Sequence, residues 1–99
     1  MATEMKYARL HITEGDKLLP LLMEYLHNNL QVRGVTVLQA HSGFGKSRVV
    51  HSKTIPHEAH NLPLIIEFID EVEKVDTAIR HFKDMFSLGH IVSWMVMVN

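Results

Sequence analysis

No cysteine occurs in this chain of 99 residues. That absence removes disulfides, thiolate metal sites, cysteine nucleophiles and iron–sulfur clusters together. Basic charge is not in excess either: ten Lys and Arg stand against eleven Asp and Glu, for a formal net charge of −1. Nucleic acid is therefore not an expected partner, because its phosphates are met by a basic surplus. No apolar run approaches the ~18 residues of a membrane-spanning helix, so membrane insertion is not expected. The opening Met1-Ala2-Thr3-Glu4-Met5-Lys6 contains no apolar signal region, which points to the cytoplasm. What is present is 46% hydrophobic and 21% charged, enough for the core of one domain over 1–99. A chain this short buries only about 60–65% of its unfolded surface. Assembly with copies of itself would help.

Histidine is the unusual number, with eight at positions 11, 27, 41, 51, 57, 60, 81 and 90. If all eight protonated while the carboxylates stayed ionised, the net charge would move from −1 to +7, and unperturbed histidine titrates near pH 6.5. The plain reading is scattered surface histidines with no common task.

Periodicity divides the chain. Residues Lys6 to Thr13 alternate, with Ala8, Leu10 and Ile12 on one side and Tyr7, Arg9, His11 and Thr13 on the other, the pattern of a half-buried strand. Glu14-Gly15-Asp16 reads as a turn, with Asp16 the N-cap of a helix and Pro20 in its first turn. Leu19, Leu22, Leu26 and Leu30 then recur at helical spacing, and Arg33 and Gly34 suit the helix C-terminus and its C′ position. Val35 to Ala40 is a β-branched second strand. Ser42 to Asn61 shows no helical period, although Arg48-Val49-Val50-His51 can extend as a strand. A connection of about twenty residues in a small domain is uncommon unless it is functional. Leu64 to Ile69 is a third strand. Asp70 and Glu73 fit a capping box, ahead of Val72, Val75, Ile79, Phe82 and Phe86 on one helical stripe closed by Gly89. Ile91 to Val98 is a last strand with apolar residues on both faces.

The order β-α-β-loop-β-α-β predicts an α+β, ferredoxin-like βαββαβ domain, an antiparallel sheet with two helices on one face. The other face then lacks cover within the chain. It would show Tyr7, Arg9, His11 and Glu67, with either Ser93, Met95 and Met97 or the Trp94 side of the last strand. Such a mixture reads as a subunit interface, and closed cyclic symmetry is the usual way to bury one.

Two constellations carry possible chemistry. His41-Ser42-Gly43-Phe44-Gly45-Lys46-Ser47 ends like a phosphate-binding P-loop. A true P-loop needs Gly where this chain has Ala40, and a helix after the lysine. Strand-like Arg48-Val49-Val50 follows instead, so that reading is set aside. The physics survives: two glycines let backbone N–H groups converge, and Lys46 and Arg48 bring positive charge beside them. Gly43, Phe44, Gly45, Lys46, Ser47, Arg48 and His51 are therefore the candidate anion-binding residues. The alternative is a metal site built on His57-x-x-His60 with His51 and His41, whose imidazoles suit zinc, nickel or copper. Met23, Met85, Met95 and Met97 read as packing. No nucleophile or paired-carboxylate constellation is present, so the chain is not read as an enzyme.

The Gly34-Val35-Thr36-Val37-Leu38 strand, the Gly43-Phe44-Gly45 loop start, the Arg48-Val49-Val50-His51 stretch and the Leu62-Pro63-Leu64-Ile65-Ile66-Glu67 strand before a capped helix resemble a PII-like family of unknown function. The resemblance runs from about Lys6 to Val98 and implies a ferredoxin-like homotrimer. It further implies a regulatory protein with a long effector loop over about 42–61. Such a protein binds an adenine nucleotide or another small anionic ligand at inter-subunit clefts, holds no resident cofactor, and signals to a target protein such as a transporter. The chain departs from true PII proteins between the second helix and last strand, where it carries only Ser87-Leu88-Gly89-His90, and it lacks their tyrosine-bearing loop signature. Divalent-cation-tolerance proteins share the same fold, which keeps the metal-responsive alternative open.

Overall fold

Alternation makes the first strand, β1, which runs over Thr3–Ile12 and starts three residues before the alternating stretch is legible in the sequence. The computed structural model describes residues 2–12, 15–43, 51–52, 64–85 and 91–99. After β1 come α1 (Gly15–Glu24), a π-helical turn (Tyr25–Asn29), β2 (Gly34–Gln39), β3 (Ser42–Gly43), β4 (His51–Ser52), β5 (Leu64–Asp70), α2 (Val72–Met85) and β6 (Ile91–Val98). The four long strands form one sheet in the order β2-β5-β1-β6, every neighbouring pair antiparallel. This is the ferredoxin-like arrangement expected from the element order.

Register decides which side chains share a face. Ala8 pairs with Phe68 and Leu10 with Ile66 across β1 and β5. All four are buried with Ile12 and join Leu22 and Leu26 of the first helical segment and Val75, Ala78 and Phe82 of α2 in one core. Phe82 sits edge-on to Phe68, with centroids 6.1 Å apart, and to Tyr25 at 5.5 Å. Each such ring contributes about 1.5–3 kcal/mol by burial. Lys6 Nζ reaches Asp76 Oδ1 at 2.7 Å and ties β1 to α2. Asp76 is thus an ion-pair partner as well as a polar-face residue.

The ends of the helices differ from expectation. Asp16 lies inside α1 rather than capping it, and Pro20 falls beyond the first turn, where its missing N–H leaves the carbonyl four residues earlier without a ladder donor. The helix does not reach Arg33. It widens at Tyr25, where the Leu30 N–H donates to the Tyr25 carbonyl at 2.9 Å, and the Val32 N–H closes the end on the Leu26 carbonyl at 2.9 Å. The left-handed residue after the helix is Gln31, with φ 54°, not Gly34, which opens β2. Asp70 is likewise not the cap of α2. It ends β5, and the first helical bond runs from the Val75 N–H to the Glu71 carbonyl at 3.1 Å. Its buried carboxylate instead accepts the Arg33 N–H on Oδ2 and the Glu71 N–H on Oδ1, both at 2.7 Å. Phe86 and Gly89 lie outside the described residues.

Candidate functional site

The connection between β2 and β5 is rooted in the sheet. Gln39 pairs with Leu64, so its two arms leave from adjacent strands. Only Ala40 and His41 separate Gln39 from Ser42, where a second ladder begins: Ser42 pairs with Ser52 and Gly43 with His51, antiparallel. Three steps of extended chain from Gln39 to Ser42 span at most about 11 Å, so the short incoming arm keeps this ribbon close to the end of β2. The ribbon brings the two ends of the 44–50 segment together. Here the backbone supplies a stem, and His51, the one described residue of the stretch read as extended over Arg48–His51, is β-paired.

Of the sequence-derived anion set, Gly43 is in β3 and His51 in β4. Phe44, Gly45, Lys46, Ser47 and Arg48 lie outside the described residues. Gly43 does not adopt a left-handed φ, and a Cβ built on it meets nothing within 4 Å. The chain's own packing therefore makes no demand for glycine there. Of the proposed imidazole set, His41 is exposed just ahead of the ribbon, whereas His57 and His60 lie outside the described residues. Among the described residues no three of His, Asp and Glu gather as a metal cluster.

The sheet face away from the helices carries a second cluster, read in the sequence only as a mixed surface. Tyr7 lies opposite Trp94 and Arg9 opposite Glu67 in the ladders. This settles which side of β6 faces outward: it is the Trp94 side, with Val92, and Ser93, Met95 and Met97 point the other way. The Tyr7 and Trp94 rings stack with centroids 5.0 Å apart and planes 29° from parallel. The Arg9 guanidinium carbon lies 5.4 Å from the Trp94 centroid, within cation–π range. Arg9 Nη2 donates to Glu67 Oε2 at 3.2 Å. Burial chiefly, then a hydrogen bond to the Glu67 carboxylate and its negative charge, push the Tyr7 hydroxyl above its ordinary pKa, with Arg9 opposing. Trp94 remains 38% exposed and Leu38, further out on β2, 45% exposed. Met85, Met95 and Met97 are also exposed in the single chain, so of the core or interface packing expected of them the core is excluded.

Chemically, this arrangement offers an aromatic surface with one central ion pair and, two residues beyond β2, a short β stem. Among the described residues no helix is long and apolar enough to cross a membrane.

Residues 7–98 match the model of the DUF190 family, described as an uncharacterized ACR, and the chain belongs to that family. A UPF0166 protein of Aquifex aeolicus (strain VF5) is 35% identical over 60 residues, a match that spans 61% of this chain and 62% of that relative. Among solved structures, CPII of Thiomonas intermedia K12 bound to ADP and bicarbonate superposes with a TM-score of 0.74 at 15% identity, over 99% of this chain and 91% of CPII. The apo form of CPII, described as a nitrogen regulatory PII-like protein, gives a TM-score of 0.70 at 15% identity over 99% and 95%. A candidate PII-like signaling protein of Thermus thermophilus gives 0.64 at 16% identity over 98% and 89%. At these identities the likeness establishes the PII-like fold.

Proposed function

We propose that this chain is a PII-like sensor that binds a small anionic ligand, an adenine nucleotide among the candidates, in the clefts of a homotrimer. It would report occupancy through the 42–61 loop to a target protein such as a transporter. The observation that carries this reading is the stem: a two-residue ladder, two residues beyond β2 of a PII-like sheet, joins the ends of the 44–50 segment. A loop of this kind can be ordered or released by a ligand, and a partner then reads the population. Gly43 and Gly45 would offer backbone N–H groups, Lys46 and Arg48 positive charge, Phe44 and Ser47 flanking contacts, and His51 a titratable contact at the stem. The work is binding, without a covalent step. CPII, bound to ADP and bicarbonate, shows that this fold accommodates such anions.

Calorimetric titration with ADP, AMP, ATP and bicarbonate, and separately with Zn²⁺ and Cu²⁺, tests the reading. Lys46→Ala with Arg48→Ala should lose anion binding by about 3–6 kcal/mol, the worth of two charge-assisted hydrogen bonds, with assembly and Tm nearly unchanged. Binding of metal alone, kept by that double variant and lost in His57→Ala with His60→Ala, would replace this reading by the metal-responsive one.

A further inference from the structure

The outward face of the sheet holds only two of the strongly charged residues among the described strands, Arg9 of β1 and Glu67 of β5. They are opposite in sign, lie directly across from each other, and are joined at 3.2 Å. Their satisfaction is unequal. The Glu67 side chain is 11% exposed and accepts from the Arg9 guanidinium. Arg9 is 41% exposed and reaches Glu67 through Nη2, while its Nε is buried with no hydrogen-bond partner among the described residues. A guanidinium has five N–H donors, so this one is under-used.

A solvated face would carry scattered charges of both signs. At the margin of the face Arg33 adds one more guanidinium, its Nη1 3.3 Å from Met5 Sδ. The paired positive and negative groups at the centre of this aromatic surface are instead complementary to another copy of the same surface. We propose that the Arg9–Glu67 pair, framed by Tyr7 and Trp94, is the recognition key by which one copy of this chain selects its neighbours. This rests on the self-assembly proposed above. In the assembly, Arg9 of each copy gives its remaining N–H groups to Glu67 of the next, so each carboxylate is shared between two guanidinia. A foreign apolar face would leave the pair half-satisfied in a desolvated site, which is how a buried polar contact rejects wrong partners.

Complementation by mixing tests the key. Full-length Arg9→Gln and Glu67→Gln chains are assayed by sedimentation velocity, separately and mixed one to one. Each alone should assemble about tenfold or more weakly than wild type. The mixture should regain much of that loss, because one copy then brings Glu67 and its neighbour brings Arg9. Rescue by mixing arises only from a contact between copies. Should Glu67→Gln not fold, the exposed partner decides alone, since Arg9→Gln assembling as tightly as wild type overturns the key. If the wild type assembles but the single variants match it, or the mixture shows no rescue, the key is wrong and the assembly stands. A wild-type chain that stays at 11.4 kDa at micromolar concentration overturns both.

Discussion

Replacing Asp70 by Ala removes one carboxylate and strands two backbone donors. In the native protein the Arg33 N–H and the Glu71 N–H each donate to it at 2.7 Å, from opposite ends of the segment that joins β2, β5 and α2. A hydrogen bond to a charged group is worth about 1.5–3 kcal/mol. Both bonds are part-buried, and water that enters after truncation recovers some of their worth. The expected loss is therefore about 3–5 kcal/mol, against a total of roughly 5–10 kcal/mol for a domain of this size. Near Tm that corresponds to a fall of roughly 15–30 °C. Lys74 supplies the control. Its ammonium is 3.8 Å from Asp70 Oδ2 with the side chain 42% exposed, so Lys74→Ala should cost less than about 1 kcal/mol. Asp70→Asn should fall between, because its amide oxygen accepts one donor while its NH₂ faces the other. Urea unfolding at one fixed protein concentration measures all three. A cost below about 1 kcal/mol for Asp70→Ala, or equal costs for Asp70→Ala and Lys74→Ala, would refute the assignment of the two backbone bonds as the reason for this buried acid.

Gln31→Gly should stabilise the fold by about 1 kcal/mol, because Gln31 sits at φ 54°, where a Cβ is penalised. A lower urea midpoint for that variant would show that the Lys74 bond to the Gln31 carbonyl, 3.3 Å long, depends on the native side chain. Tyr7 should ionise above the ordinary phenol value of about 10. A phenol that holds its proton more tightly folded than unfolded adds stability that is intact below that value and fades as pH rises through the folded pKa. Tyrosinate absorbance in a Tyr25→Phe background follows this titration, and Glu67→Gln should move it back toward the ordinary value. An unmoved titration would mean that Glu67 does not act on Tyr7.

Much of the fold was legible because it rests on patterns that tertiary context reinforces. The alternation through Ala8, Leu10 and Ile12 and the stripe through Val75, Ile79 and Phe82 each meet the core where expected. Helix ends were less legible, for a physical reason. A Gly after a leucine stripe predicts a left-handed C′ residue, but the helix ends in a π-helical turn and the left-handed residue is Gln31, three positions earlier. Composition carries no mark of such a turn. Asp70 followed by Glu73 has the letters of a capping box, yet β5 continues through Asp70, which pairs with Lys6 while its carboxylate accepts a long-range donor, the Arg33 backbone. A partner 37 positions away is invisible to local spacing.

The candidate site divides along the same line. Alternation within β1 put Tyr7, Arg9 and His11 together, but an apolar strand on both faces, such as β6, has no parity to read. The pairing of Tyr7 with Trp94 supplies it. Once that register is known, the two functional proposals become mechanically adjacent. β2 is an edge strand of the face proposed to meet other copies, and it continues through Ala40 and His41 alone into Ser42 of the ribbon. The outgoing arm, residues 53–63, is far longer. The stem is therefore tied to β2 through two residues. A neighbouring copy that fixes the outward side of β2, where Thr36 and exposed Leu38 lie, also fixes where the loop starts. Ligand binding at the loop and contact between copies then act on one short piece of backbone, which is the geometry that coupling between them requires.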